Sequence, residues 1–213
     1  MLRSLVSYPI LLLLLSCSSS HKTTNKGEWI KLFDGKTLNG WKVNENPETF
    51  KVEDGNIVVN GLRGHLFYDG TVMNHDFKNF ELKLRIMTTP GSNSGVYFHT
   101  AFQETGWPVK GFEVQVNNSH ADWRRSGSLY GIQDIKEVFV KDNEWYDMLI
   151  QVQGKKVTIK LNDRIVNEYT EPENVQPAKG NEQRLISNGT FALQGHDPKS
   201  KVFYKEVMIK INQ

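Results

Sequence analysis

A single cysteine in 213 residues excludes an intramolecular disulfide and a cysteine-based zinc site. Charge of one sign is lacking too. The 26 Lys and Arg stand against 24 Asp and Glu, a formal net charge of +2. No basic stripe interleaved with aromatics occurs, so no nucleic-acid partner is expected. No segment keeps a helical period over three turns. No Gly-x-Ser-x-Gly elbow supports a serine triad. The six histidines show neither His-x-His nor His-Glu-x-x-His spacing, so the metal signal is weak and no cofactor is expected, with a divalent cation left open. Apolar residues at 38% are those of an ordinary globular chain and exclude global disorder. The length suits one domain, large enough to fold without staples.

The lone cysteine sits in an informative place. Arg3 precedes an apolar run from Leu5 to Leu15 that is too short to span a bilayer comfortably. Leu14-Leu15-Ser16-Cys17 resembles a bacterial lipobox, in which the cysteine is acylated and becomes the mature N-terminus. The alternative is a plain secretory signal with an incidental cysteine; the position of Cys17 at the cleavage point favours the lipobox. Residues 1–16 are therefore read as a lipoprotein signal peptide, 17–27 as a polar tether and 28–213 as the folded domain. Several acyl chains on Cys17 would anchor the chain stably, where one would not. Ser18 resembles the outer-membrane sorting pattern, so the expected location is the cell envelope, on the outer membrane facing the periplasm. The oligomeric state is not legible.

From Trp29 on, short alternating runs punctuated by Gly, Asn and Asp predict strands over 50–52, 57–60, 80–87, 95–100, 112–117, 145–152, 156–161, 164–168, 190–194 and 203–211. Such spacing predicts an all-β antiparallel sandwich or jelly roll. Residues 169–189 read as a long polar surface loop.

Successive strand residues point to opposite faces. Lys156, Thr158 and Lys160 form the kind of face that a sheet shows to water. The strand at 112–117 instead sets Glu113, Gln115 and Asn117 opposite Phe112, Val114 and Val116. Its neighbours carry Tyr97 and His99, and Gln194 and His196. Short or planar hydrogen-bonding groups on three strands point to a polyol-binding groove. Trp107 and Trp123, on polar loops, are either groove walls that stack on sugar or end-of-sandwich packing. His120 follows the groove strand closely enough to reach it, whereas His65 and His75 are read as structural or surface residues. Ordinary glycoside hydrolysis needs two carboxylates, and this strand offers only Glu113.

Several ordered runs carry a resemblance. They are Leu32-Phe-Asp-Gly-Lys-Thr-Leu-Asn-Gly-Trp41, Asn93-Ser-Gly-Val-Tyr-Phe98, Gly111-Phe-Glu-Val-Gln-Val116, Gly127-Ser-Leu-Tyr-Gly131 and Leu193-Gln-Gly-His196. Together they resemble the 3-keto-disaccharide hydrolase domain family over residues 28–211. The sequence departs from the family's common pattern at His99, Asn117 and Phe203-Tyr204-Lys205. The resemblance implies a concanavalin A-like jelly-roll sandwich and cleavage of glycosides oxidised to a ketone at sugar carbon 3. A C3 ketone acidifies the C2 proton, and its loss can expel the C1 substituent by β-elimination, with water adding afterwards. This route needs one base, one acid and donors for the enolate. Glu113 and His196 are the candidate acid and base, in an order that the sequence leaves open. Asn93, Gln115, Tyr130 and Gln194 are candidates to position hydroxyls or stabilise the enolate, and Tyr97, His99, Asn117, His120 and Trp123 complete the substrate-binding set. The alternative function is a non-catalytic carbohydrate-binding lipoprotein, since fold alone does not separate the two.

Overall fold

The computed structural model describes residues 27–212. The expected signal peptide, Cys17 and the tether to residue 26 lie outside them. Thirteen strands follow in chain order: β1 (Ile30–Lys31), β2 (Trp41–Val43), β3 (Phe50–Glu53), β4 (Asn56–Val59), β5 (Gly64–Tyr68), β6 (Phe80–Thr88) and β7 (Ser94–Thr100). Then come β8 (Phe112–Val116), β9 (Tyr146–Gln153), β10 (Lys156–Leu161), β11 (Arg164–Thr170), β12 (Thr190–Gly195) and β13 (Val202–Ile211). The eight-stranded sheet runs β11-β10-β9-β6-β13-β4-β3, with β1 also paired to β13. The five-stranded sheet runs β2-β5-β12-β7-β8. Every pairing between these strands is antiparallel.

Alternation builds the sandwich. In β6, Phe80, Leu82, Leu84 and Ile86 are buried while Glu81, Lys83 and Arg85 are not. β9 does the same with Tyr146, Met148, Ile150 and Val152. These residues join one core with Leu66, Val96, Phe98, Val114 and Leu193 of the smaller sheet. Burying apolar faces of this size is the main stabilising term of the fold.

The outer face of the five-stranded sheet behaves differently. β8 and β12 are buried on both faces, although a solvated antiparallel sheet would bury only one. Loops cover this face, and Glu113, Gln115 and Gln194 lie beneath them. All ten sequence-predicted strands are present, with ends shifted by a residue or two. β1, β2 and β5 escape the sequence reading. The first two are too short to alternate, and β5, Gly-His-Leu-Phe-Tyr, is buried on both faces. The polar loop begins two residues later than predicted. Glu171, buried at its start, accepts hydrogen bonds from Lys155 Nζ and from the Ile186 N–H, which pins the loop's far end against the sheet.

Candidate active site

A cavity of about 260 Å³ opens on the outer face of the five-stranded sheet. Its floor is Tyr97 of β7, Glu113 and Gln115 of β8 and Gln194 of β12. Asn93 and His196 line it from just outside the ends of β7 and β12, and loops add Trp107, Asp122, Tyr130 and Arg184.

Glu113 is the centre of the floor. Tyr97 Oη donates to its Oε2 at 2.7 Å and Gln194 Nε2 to its Oε1 at 2.8 Å. No cation pairs directly with it among the described residues. Burial raises its pKa to about 7, against the lowering effect of the Tyr97 and Gln194 hydrogen bonds and of the Arg184 charge. A carboxyl poised near neutral pH can hold a proton and release it. Burial and the neighbouring Glu113 charge together keep Tyr97 a phenol. Gly95 makes room for the carboxyl: a Cβ there would collide with Glu113 Oε1. Its role is space beside Glu113, and its φ is not in the left-handed region.

The amides are wired to one another. Gln115 Nε2 donates to Asn93 Oδ1 at 2.6 Å, and Asn93 Nδ2 lies 3.3 Å from His120 Nδ1. Gln115 Oε1 and Gln194 Oε1 are buried and have no protein partner. Each unpaired oxygen costs about 1–3 kcal/mol, a cost that donors from a ligand would offset.

His196 carries an orienting carboxylate. Asp197 Oδ2 accepts from its Nδ1 at 2.7 Å and from Ser200 Oγ at 2.8 Å. Partial burial opposes ionisation of Asp197, but these hydrogen bonds and the Lys199 N–H outweigh it and hold the carboxyl below its ordinary range. With Nδ1–H donating, the lone pair of a neutral ring is on Nε2. Trp107 lies 5.6 Å from the His196 ring, centroid to centroid, and edge-on to His65 at 5.5 Å. This Trp is a wall of the cavity.

Four expected site residues do not line the cavity. Alternation would put His99 beside Tyr97, but β7 carries one extra residue: Ala192 pairs with Tyr97 and Thr190 with Thr100. This bulge, with His99 at φ 53°, turns the ring away. His99 accepts from the Ser187 N–H and contacts the Lys78 carbonyl at 2.9 Å, and burial pushes its pKa down to about 4. Asn117 lies beyond the end of β8 and organises a loop, its Nδ2 donating to the Asp122 and Arg124 carbonyls. Trp123 is exposed, with Arg124 4.9 Å and Lys136 5.2 Å from its ring. His120 stands behind Asn93, with its ring 5.5 Å from that of His196.

His120, His196 and Asp197 place potential ligand atoms within 4.8 Å of one another. Protein hydrogen bonds already engage one ring nitrogen of each histidine and the Asp197 carboxylate. His120 Nδ1 already accepts from the Asp122 N–H at 3.0 Å, and Asp197 is fully engaged by His196, Ser200 and Lys199.

The sequence reading missed Arg184 outright. It is the only fixed positive charge among the described lining residues, held by an Nη1 donation to the Tyr130 carbonyl at 3.0 Å. Nothing in its polar loop marks it; the fold brings it over the floor. Asp122 and Asp197 were missed as well, and the one available signal for Asp197 is its place next to His196.

A family model described as the 3-keto-alpha-glucoside-1,2-lyase-like domain matches residues 28–210. The 3-keto-disaccharide hydrolase of Bacteroides thetaiotaomicron is 32% identical over 169 residues, 66% of this chain. The match spans 58% of that protein's length. A crystal structure of a candidate glycosyl hydrolase from Parabacteroides distasonis superposes with a TM-score of 0.73 at 22% identity, covering 87% of this chain and 94% of that one. The carbohydrate-binding module CBM66 from Bacillus subtilis gives a TM-score of 0.57 at 13% identity, covering 80% and 95%. At these identities the two structures speak for the fold alone.

Proposed function

Since the chain belongs to the 3-keto-alpha-glucoside-1,2-lyase-like domain family, we propose that it is a carbohydrate-cleaving enzyme acting on glycosides oxidised at sugar carbon 3. The observation that carries this reading is the pairing of two unlike titratable groups in one cavity: Glu113, with its pKa near 7, and His196, oriented by Asp197. Burial keeps a proton available on Glu113, and Asp197 aims the His196 ring, so Glu113 takes the acid's part and His196 the base's. His196 Nε2 takes the C2 proton, and the C2–H electron pair becomes an enolate conjugated with the C3 ketone. The guanidinium of Arg184 stabilises the negative charge on the C3 oxygen. The enolate then reforms the ketone as the C1–O bond breaks, and protonated Glu113 gives its proton to the departing oxygen. Addition of water across the new double bond completes a net hydrolysis. Gln115, Gln194 and Asn93 bind the hydroxyls. No second carboxylate is needed, in keeping with the amide at position 115.

The other reading, a non-catalytic sugar-binding module, shares its fold with CBM66. It gives no role to a buried carboxyl beside an oriented imidazole, because amides would bind hydroxyls without the cost of burying an ionisable group.

Deuterium at C2 of a chromogenic 3-keto-glucoside tests the route. Slower leaving-group release than from the protiated substrate is expected when proton removal limits the rate. Full release from a substrate that lacks any C2 hydrogen would overturn elimination.

A further inference from the structure

The outer face of the five-stranded sheet holds a second cavity of about 260 Å³. It lies by Thr190 of β12, whereas the first cavity is at Gln194. Four residue steps along the strand separate them, about 13 Å. Segment 101–111 serves both, giving Trp107 and Pro108 to the first and Ala101, Phe102 and Lys110 to the second. Phe102 sits edge-on to Phe67 at 5.3 Å, and Lys42 Nζ lies 3.7 Å from the Phe102 ring centroid. An aromatic wall is thereby fixed in place.

Three features distinguish this cavity from a dent between loops. Thr100 is buried on its wall, and the Thr100 hydroxyl has no hydrogen-bond partner. Its cross-strand neighbour Thr190 donates to the Tyr68 carbonyl. A stranded hydroxyl costs about 1–3 kcal/mol. Next, Met73, Asn74 and His75 are consecutive non-glycine residues at φ 50°, 50° and 49°. Each left-handed residue costs roughly 1–2 kcal/mol, and Asn74 and His75 line the cavity. Strain of this kind gathers at ligand clamps. Finally, the polar lining carries no surplus of one sign: His75 stands 3.8 Å from Asp69, Asn188 Nδ2 donates to both Asp76 oxygens, and Lys110 Nζ donates to the Asn188 carbonyl, each group keeping further hydrogen-bonding capacity. Donors and acceptors beside aromatic carbon suit a neutral polyol. An anion would meet two carboxylates. A metal would need three converging ligands, and among the described residues such a group occurs only at the first cavity.

We propose that this cavity is a second saccharide site, built for one neutral hexose unit of an oligosaccharide. The short distance along β12 lets one chain reach both cavities. The proposal does not depend on the chemistry assigned to the first cavity.

Amide NMR and titration calorimetry on the full chain carrying Glu113→Gln, with maltotriose and cellotriose as probes, test it. Shifts are expected at residues 67–69, 74–76 and 100–102. Thr100→Val, which removes the stranded hydroxyl and should fold at least as well, is expected to weaken binding about three- to tenfold. Phe102→Ala should erase the second set of shifts while those at 93–97 and 113–115 remain. Shifts confined to the first cavity, no binding, or affinities unchanged in both variants would overturn the proposal. Trisaccharide binding at the second cavity, together with no keto-glucoside cleavage by the unsubstituted chain, would refute the first reading and support this one.

Discussion

Glu113→Gln is expected to lower keto-glycoside cleavage by roughly 10²–10⁴-fold while leaving the fold as stable, or more stable, above pH 7. The rate falls because an amide has no proton to give to the leaving oxygen. The stability follows from linkage. Folding raises the Glu113 pKa from 4.5 to about 7, so the protonated form is favoured in the folded state. That contribution is complete below about pH 4.5 and is lost as pH rises through about 7. The loss amounts to about 3 kcal/mol, at about 1.4 kcal/mol per pH unit. Glutamine carries no such loss. It can keep both neighbours, because Gln194 can turn its unpartnered Oε1 toward the new amide. Thermal melts should therefore show the variant gaining on the parent between pH 5 and 8. A constant gap across that range would mean that Glu113 is not a buried acid. The same protonation makes the parent's kcat/KM fall above about pH 7, and the variant's residual activity should lack that limb.

His196→Ala should cost a similar roughly 10²–10⁴-fold, for the opposite reason: nothing remains to accept the C2 proton. Asp197→Asn gives the sharper test. An amide N–H facing His196 Nδ1 favours the tautomer that protonates Nε2, so the ring is present but wrongly protonated. A large loss of kcat with little change in KM is expected. Because Asp197 also holds Ser200 and the Lys199 N–H, melting curves must accompany the kinetics. Asp197→Asn with full kcat would remove His196 from the role of base.

Most of the fold was legible because core strands advertise themselves. β6, β9 and β10 alternate cleanly against a solvated face. β5 was hidden because loops bury its second face, placing His65 at zero exposure with neither ring nitrogen partnered and its pKa pushed down by burial to about 3. The sequence shows the polar residue but not its cover. The floor of the site was legible for the same physical reason as the core, since period-two spacing put Glu113 and Gln115 on one face, and Tyr97 and Gln194 on the matching faces of their strands. His99 failed where that rule fails, at a bulge that no residue pattern announced. Gly95 reads in sequence as turn chemistry at a strand end, whereas in the structure it lacks a Cβ where the Glu113 carboxyl sits. Arg184 needed tertiary knowledge, because its loop has no period and is placed by the bond from the Ile186 N–H to Glu171, at the loop's other end.

The central claim is that this cavity cleaves glycosides only after oxidation at C3. The most direct measurement compares release of a chromogenic leaving group from a 3-keto-glucoside and from its unoxidised parent, under the same conditions, by the full chain. The account predicts turnover of the keto-glucoside alone, because without the ketone the C2 proton is not acidic and His196 has nothing to remove. Equal rates on the two substrates would contradict it.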